Sequence, residues 1–270
     1  MYLWLLKKHL FPYMNKAIVL IIMGLLLHSM GFAQYANQKY QLVYPGHISN
    51  ENKDFLEMLI PDIIQANNEI LWNRQRIESI DAQFRDHCKV TTTSLHFLDN
   101  ISQCYKADFR FSIKTTPTQF ASQIKWLLNR VDKVPMQLVL AQAALESEWG
   151  RSRFAIDGYN YFGIRCYKAD CGMQPASVDN PSFMVRSYDS PLDGVRDYLY
   201  NINVGSAYKA LRMSRSQQRS LGQNPDPLVL ASSLLEYSEI GEDYYTRISW
   251  LIRKKIPQIS LVPYEEITQK

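Results

Sequence analysis

One glutamate, Glu146, stands where a long apolar segment ends, in the stretch Ala143–Cys166, AALESEWGRSRFAIDGYNYFGIRC. The residues before it, VPMQLVLAQAALES, are interrupted only by Gln137 and Gln142, and a helix that is apolar on nearly every side is buried. A carboxyl at the C-terminal end of such a helix loses hydration and meets the negative end of the helix dipole, and both effects raise its pKa. A carboxyl that keeps its proton near neutral pH is suited to be the general acid of glycosidic cleavage.

A second glutamate, Glu148, follows two residues later. Two residues along a helix correspond to a rotation of about 200°, so the two side chains face different ways. Glu146 shares its face with Val139, Gln142 and Ala143, and we therefore expect Glu148 to point to solvent. A surface glutamate in the last helical turn is the alternative explanation for Glu146 itself.

The first 33 residues have the pattern of a secretory signal peptide cut after Ala33: a basic start, an apolar stretch from Ala17 to Leu27, and the small residues Gly31 and Ala33. A membrane span needs about 20 apolar residues, and an uncleaved anchor is the alternative. We expect membrane association only in that case. The net charge of +4 includes three lysines from this segment, which leaves 4 − 3 = +1 and gives no basis for a nucleic-acid partner.

The chain contains four cysteines, and an even number in an exported protein suggests disulfides. Of the three possible pairings, closeness in sequence favours Cys88–Cys104 and Cys166–Cys171. A zinc site that uses His87 and His96 is the alternative. Their spacing fits no common zinc pattern, so we expect no metal.

Hydrophobic periodicity predicts a mainly α, α+β protein with a small β-lobe directly after the central helix. We expect residues 88–113 to be an irregular, disulfide-tied connection and residues 151–186 to form the β-lobe. Asp132 is the predicted cap of the central helix. The other helices are predicted at residues 53–87, with a kink or break at Pro61, and at 118–131, 193–202, 207–217, 226–237 and 244–255.

These motifs resemble the signature of the glucosaminidase family of cell-wall hydrolases, which includes domains of flagellar peptidoglycan hydrolases and of autolysins. AQAALESEWG is similar to the family pattern AQAALESGWG, and NYFGIR is similar to N-[LY]-FGIK, with Arg165 for lysine. The resemblance covers about residues 116–255. The upstream helix and the paired cysteines at 166 and 171 resemble those of one subgroup, the Bax-like proteins.

The resemblance implies a lysozyme-like fold, in which a glycan cleft lies between a helical body and a β-lobe. It implies that Glu146 is the general acid and that Tyr237 is a further catalytic residue, although Tyr237 could instead be an aromatic packing residue. The implied boundaries are a signal peptide at 1–33, an N-terminal helical extension at 34–115, the catalytic domain at 116–257 and a tail at 258–270.

Four further residues are expected at the substrate. Asn160, Phe162 and Gly163 of the second motif would line the cleft and contact an N-acetyl sugar. A turn that only packs the β-lobe is the alternative for them. Trp149 belongs either to the core or to the cleft wall.

The sequence departs from the family pattern in two places. Glu148 stands where the family usually has glycine. Many relatives carry a second glutamate in the β-lobe, whereas residues 151–193 contain none. Asp179 is the nearest substitute. The second catalytic group is therefore open between Asp179, a water held by Tyr237, and the acetamide of the substrate, as in substrate-assisted glycosidases.

The resemblance thus implies an exported endo-β-N-acetylglucosaminidase that acts on peptidoglycan strands without a cofactor. The absence of wall-binding repeats in the sequence favours a periplasmic location. A muramidase or lytic transglycosylase on the same fold is one alternative, because such relatives also work with a single acid. A non-catalytic peptidoglycan-binding module is the other, and the missing second glutamate motivates it.

Overall fold

The computed structural model describes residues 40–168, 170–175, 181–234 and 241–261. The helices are α1 (Asn50–His87), α2 (Thr92–Cys104), α3 (Pro117–Arg130), α4 (Met136–Glu146), α5 (Arg153–Gly158), α6 (Pro191–Val204), α7 (Lys209–Ser220, after a 3₁₀ turn at Ser206–Tyr208), α8 (Pro227–Ser232) and α9 (Gly241–Lys254). The strands are β1 (Tyr40–Val43), β2 (Arg165–Cys166), β3 (Gly172–Met173), β4 (Met184–Arg186) and β5 (Gln258–Leu261). The predicted mainly helical fold with a small β part is confirmed.

The chain divides into two units. Leu42–Gln258 is one compact unit, and it contains both the N-terminal helices and the motif-bearing helix α4. The other unit is described only at Tyr40, Gln41 and residues 259–261, which belong to the paired strands β1 and β5. The predicted signal peptide at residues 1–33 lies outside the described residues.

Helix α1 forms one side of the protein core. It runs without a break through Pro61, so of the two predicted alternatives, a kink or a break, the break is wrong. Its apolar stripe, which includes Leu56, Leu59 and Ile63, is fully buried and packs against α3, α4 and α6. This long stripe explains the continuity, because burial of the flanking turns stabilises the helix on both sides of the proline.

The region between α1 and α3 differs from the prediction. Residues 92–104 form helix α2, with the Thr91 side chain as its N-cap, instead of an irregular connection. Cys88 and Cys104 are exposed free thiols, so the predicted disulfide between them is wrong. A helix rises about 1.5 Å per residue, which carries Cys104 about 18 Å along α2, whereas a disulfide needs Cα atoms about 4.4–6.8 Å apart.

Helix α4 is the central element of the fold. It packs against α1, α8 and α9, and every residue from Leu138 to Ala144 is buried. Pro135, and not Asp132, occupies its N-cap position, without a side-chain hydrogen bond. The predicted cap is therefore wrong. Asp132 is instead a buried carboxylate, only 1% exposed, and it pairs with arginines of α1 and α7.

The turn after α4 fixes the position of Glu146 at the end of the helix. The Ser147 hydroxyl donates to the Ala143 carbonyl at 2.6 Å and accepts from the Gly150 amide at 2.8 Å. Glu148, Trp149 and Gly150 all have left-handed backbones, with φ of 54°, 61° and 78°. The glycine that the family has at position 148 would suit this conformation, because an L side chain costs about 1–2 kcal/mol there.

Gly150 lets α1 approach this turn. A Cβ atom at position 150 would lie 2.5 Å from the Phe55 ring, and it would also be strained by the positive φ. We expect Gly150→Ala to lower the free energy of unfolding by about 2–4 kcal/mol, from backbone strain and overpacking together. Urea unfolding measures this loss.

Gly222 provides the matched control for this prediction. Its φ is 71°, and a Cβ there would meet nothing within 4 Å. Gly222→Ala should therefore show the strain alone, about 1–2 kcal/mol. Equal losses for the two variants would mean that the contact between Phe55 and Gly150 contributes nothing.

The region predicted as the β-lobe, residues 151–186, begins with helix α5, which the prediction missed. The rest contains a small antiparallel sheet in the order β2-β4-β3. Arg165 pairs with Val185, and Gly172 pairs with Arg186. The predicted disulfide Cys166–Cys171 is confirmed, with Cα atoms 6.2 Å apart. It closes the connection between β2 and β3 into a short loop that contains Tyr167 and Lys168.

Candidate active site

A cleft of about 1260 Å³ opens between the end of α4, the β-lobe, and helices α6 and α9. Pockets for small molecules usually measure about 300–1,000 Å³, so this cleft has room for an extended ligand. Aromatic side chains form much of its wall: Phe162, Tyr167, Tyr198, Tyr200, Tyr208 and Tyr244. Flat rings beside polar groups are suited to binding sugar rings, because a sugar presents apolar C–H faces and polar hydroxyl edges.

Glu146 lies in this cleft as the last residue of α4. Its side chain reaches solvent, so it is not buried as the apolar helix alone would predict. The cleft walls still displace much of its hydration, and this desolvation raises the pKa of its carboxyl, while a hydrogen bond from Tyr244 acts in the lowering direction. Glu148 is also exposed, as expected, but it does not line the cleft.

A chain of buried side chains leads to the Glu146 carboxyl. The Tyr198 hydroxyl donates to Oε1 of Gln142, and Nε2 of Gln142 donates to the Tyr244 hydroxyl at 2.9 Å. The Tyr244 hydroxyl in turn bonds to Glu146. The Phe162 ring stacks on Tyr198, with centroids 3.8 Å apart and planes 11° apart.

The direction of these hydrogen bonds determines whether the Tyr244 hydroxyl donates to Glu146 or accepts from it. In the structure its oxygen accepts a hydrogen bond from the Gln142 amide, so its own O–H is left to donate a hydrogen bond to Glu146. The carboxyl of Glu146 is therefore held from one side, and the remainder of the group faces the cleft.

Replacing Tyr244 by phenylalanine tests this arrangement. A hydrogen bond to the charged form lowers a carboxyl pKa, so its loss should raise the pKa of Glu146 further. An acid that must be protonated limits activity on the alkaline side, and the alkaline limb of the kcat profile should move to higher pH. The measurement is the rate of strand cleavage between pH 4 and 9.

Tyr245→Phe is the control for that experiment. Tyr245 is the next residue on α9, is only partly buried and does not line the cleft. Its variant should keep the wild-type profile. An alkaline limb that stays in place or moves to lower pH in Tyr244→Phe would contradict the role given to this hydroxyl.

Of the other residues predicted at the substrate, some line the cleft and some do not. Phe162 and Gly163 line the cleft. Asn160 is only 1% exposed; its amide nitrogen donates to two β-lobe carbonyls, and its oxygen accepts from the Phe162 and Ile164 amides. Asn160 thus organises the turn, which matches the alternative considered for it. Trp149 lies in the left-handed turn and does not line the cleft.

Two predicted catalytic residues, Tyr237 and Asp179, lie outside the described residues. Among the residues that the structure describes, the acids lining the cleft are Glu146 and Asp197. Asp197 accepts hydrogen bonds from Arg186 at 2.8 Å and from the Tyr188 hydroxyl at 2.7 Å. Glu146 is therefore the described carboxyl of the cleft that is not held by a cation.

Neither Gln142 nor Tyr244 was identified as a site residue from the sequence. Gln142 gave a usable signal, because it is polar within an apolar helix and stands four residues before Glu146 on the same face. Tyr244 gave none, since it is one of several tyrosines near α9 and meets Gln142 across 102 residues of chain. Within the described ranges, no group of three or more His, Cys, Asp or Glu side chains could hold a metal ion.

Comparison with known proteins identifies the class of this site. Residues 121–254 match the glucosaminidase family, described as mannosyl-glycoprotein endo-beta-N-acetylglucosaminidase. This part of the chain is thus a glucosaminidase-family domain, and the family is one of glycoside hydrolases.

One relative extends the similarity upstream of that domain. Protein bax of Escherichia coli (strain K12) is 30% identical over 192 residues, which is 71% of this chain and 65% of that protein. The chain therefore spans about two thirds of that relative, in agreement with the predicted Bax-like subgroup. No solved structure matches the chain.

Proposed function

We propose that this protein is an exported endo-β-N-acetylglucosaminidase that cleaves the β-1,4 bond after N-acetylglucosamine in peptidoglycan strands, with Glu146 as the general acid. The observation that carries the proposal is a carboxyl with a raised pKa at the end of α4, facing a large aromatic cleft. The glucosaminidase-family domain around it supports a glycan as the substrate. Tyr244 and Gln142 hold the acid, and Phe162 covers the hydrogen-bonded chain behind it.

In the proposed reaction, the protonated Glu146 carboxyl transfers its proton to the glycosidic oxygen as the bond to the anomeric carbon breaks. A second group must then stabilise or attack that carbon. The described part of the cleft supports the acetamide of the substrate in this role, because Asp197 is held by Arg186 and Tyr188. Asp179, or a water held by Tyr237, is the alternative.

A muramidase or lytic transglycosylase is the second candidate. The same observation favours it, since the described cleft offers one uncommitted carboxyl, and these enzymes work with a single acid. A non-catalytic peptidoglycan-binding module is the third candidate, and it would use the cleft without cleavage.

Product analysis separates these candidates. Purified sacculi are digested with the chain from Gln34, and the released fragments are reduced with borohydride and identified by mass spectrometry. Reduced N-acetylglucosamine supports the proposed bond. A reduced muramic end or an anhydro-sugar supports the second candidate, and binding to sacculi without release supports the third.

A periplasmic location is part of the proposal. The disulfide Cys166–Cys171 supports an oxidising compartment, and a peptidoglycan-acting domain belongs outside the cytoplasm. In the described parts of the chain, no helix has the length and apolar character to span a membrane.

A further inference from the structure

The cleft carries an excess of positive charge around Glu146. Its charged lining residues are five bases and two acids: Lys106, Arg165, Lys168, Arg186, Arg247, Glu146 and Asp197. Two of the bases are already paired, Arg186 with Asp197 and Arg247 with Asp243. A neutral polymer of N-acetylglucosamine has no anionic group that could pair with the remaining cations of the cleft.

Three cations of the cleft have no carboxylate partner among the described residues. Lys106, Arg165 and Lys168 are all exposed to the cleft solvent, and none of them forms an ion pair with a described residue. The Arg165 guanidinium lies over the Phe183 ring, 4.2 Å from its centroid, and the Lys106 ammonium lies 5.8 Å from that of Tyr200. These ring contacts place both cations without neutralising them.

The three cations come from different parts of the fold. Arg165 is in β2, and Lys168 is in the loop that the disulfide Cys166–Cys171 closes. Lys106 follows α2, so it lies upstream of the glucosaminidase-family domain that begins at residue 121. The N-terminal helices therefore contribute a charged group to the cleft, in addition to their packing against α4.

We propose that Lys106, Arg165 and Lys168 form a carboxylate-binding site that selects anionic strands over neutral N-acetylglucosamine polymers. This inference rests on the proposed function, because it assigns a glycan to the cleft. A peptidoglycan strand can present carboxylates on its lactyl groups and stem peptides, next to the sugars that the cleft would bind. Arg165 provides a planar fork that suits a carboxylate, whereas the two lysines act as point charges.

The test compares two ligands that differ chiefly in charge. Peptide-free strands of alternating N-acetylglucosamine and N-acetylmuramic acid carry free lactyl carboxylates. Coupling these groups to methylamine with a carbodiimide gives a neutral strand of nearly the same shape. Binding of both strands to the Glu146→Gln chain is measured by calorimetry at low salt, so that the result does not depend on catalysis.

We expect the anionic strand to bind about tenfold more tightly than its neutral derivative, equivalent to about 1.4 kcal/mol from several exposed ion pairs. The preference should shrink as salt rises, because exposed charges are screened. Arg165→Gln combined with Lys168→Gln should remove most of the preference, and Lys106→Gln should remove part of it.

Lys114→Gln combined with Lys125→Gln is the matched control. Both lysines are exposed and neither lines the cleft, so this variant loses the same charge and should keep the preference. Equal binding of the two strands to the unaltered cleft would overturn the proposal. Displacement of the anionic strand by DNA at equal charge concentration would also overturn it, because the attraction would then be that of any polyanion.

The outcome is separable from that of the proposed function. Strand binding with the expected charge preference but without cleavage by wild type would leave the carboxylate site standing and favour the binding module. Cleavage by wild type without a charge preference would support the proposed function and overturn the carboxylate site.

Discussion

Glu146→Gln is expected to lower the rate of strand cleavage by about 100- to 10,000-fold, the usual contribution of a general acid. Glutamine keeps the shape of the side chain but has no proton to transfer to the glycosidic oxygen. The Tyr244 hydroxyl can still donate to its amide oxygen, so the chain of hydrogen bonds behind it should persist. The measurement is the release of soluble fragments from sacculi under conditions where wild-type release is linear.

Glu148→Gln is the matched control. It makes the same chemical change two residues away, on a side chain that does not line the cleft, and it should leave the rate near that of wild type. Equal losses of cleavage rate in the two variants would show that activity depends on the structure of the turn and not on the acid at position 146. Retained cleavage by Glu146→Gln would remove Glu146 from the mechanism.

The Glu146→Gln variant should also be at least as stable as wild type. The folded-state pKa of Glu146 is raised above 4.5, so its contribution to stability is complete below the unfolded-state pKa and is lost as pH rises through the folded-state pKa. Above that range the ionised carboxyl costs folding free energy, and glutamine avoids this cost. Thermal unfolding at pH 7 therefore also checks that lost activity is not lost structure.

The largest expected effect on stability is that of Asp132→Asn. Nε and Nη2 of Arg219 both donate to the Asp132 carboxylate at 3.0 Å, and Arg74 and the fully buried Arg215 lie within 4 Å of it. Burial lowers the pKa of Arg215 to about 10, and Asp132 opposes this shift. Removing the negative charge leaves buried cations uncompensated, which usually costs about 3–5 kcal/mol.

Denaturant unfolding of Asp132→Asn beside Asp81→Asn measures this effect. Asp81 pairs with Arg85 near the surface, where the arginine side chain is 70% exposed, so its loss should cost less than about 1 kcal/mol. A similar small loss at Asp132 would mean that the arginines reach water when the carboxylate is neutral. A large loss would establish this cluster as the connection between α1, α7 and the start of α4.

The sequence predicted the central helix and the position of Glu146 at its end, because both depend on local pattern. The apolar run before Glu146 required a buried helix, and that helix is α4. The spacing of Gln142 and Glu146 placed them on one face, where the structure has them. The hydroxyl of Tyr244 between them depends on the packing of α9 against α4, and no local pattern encodes it.

The errors also have physical causes. Cys88 and Cys104 are close in sequence, but the intervening helix α2 separates them. Asp132 precedes a helix in the manner of a cap, yet burial against Arg215 and Arg219 gives its carboxylate stronger partners than backbone amides. The first error thus comes from a helix that the sequence pattern did not reveal, and the second from tertiary partners that overrode a local preference.

The proposed mechanism requires that the cleft keep a proton on Glu146, and the pKa of this carboxyl can be measured without any substrate. The chain is labelled with ¹³C at glutamate side-chain carboxyls, and the Glu146 resonance is assigned by its absence in Glu146→Gln. We predict a titration midpoint above the ordinary value of 4.5, with a further increase in Tyr244→Phe. A midpoint at or below 4.5 would contradict the proposed mechanism, because Glu146 would then be an ordinary solvated carboxylate at the end of its helix.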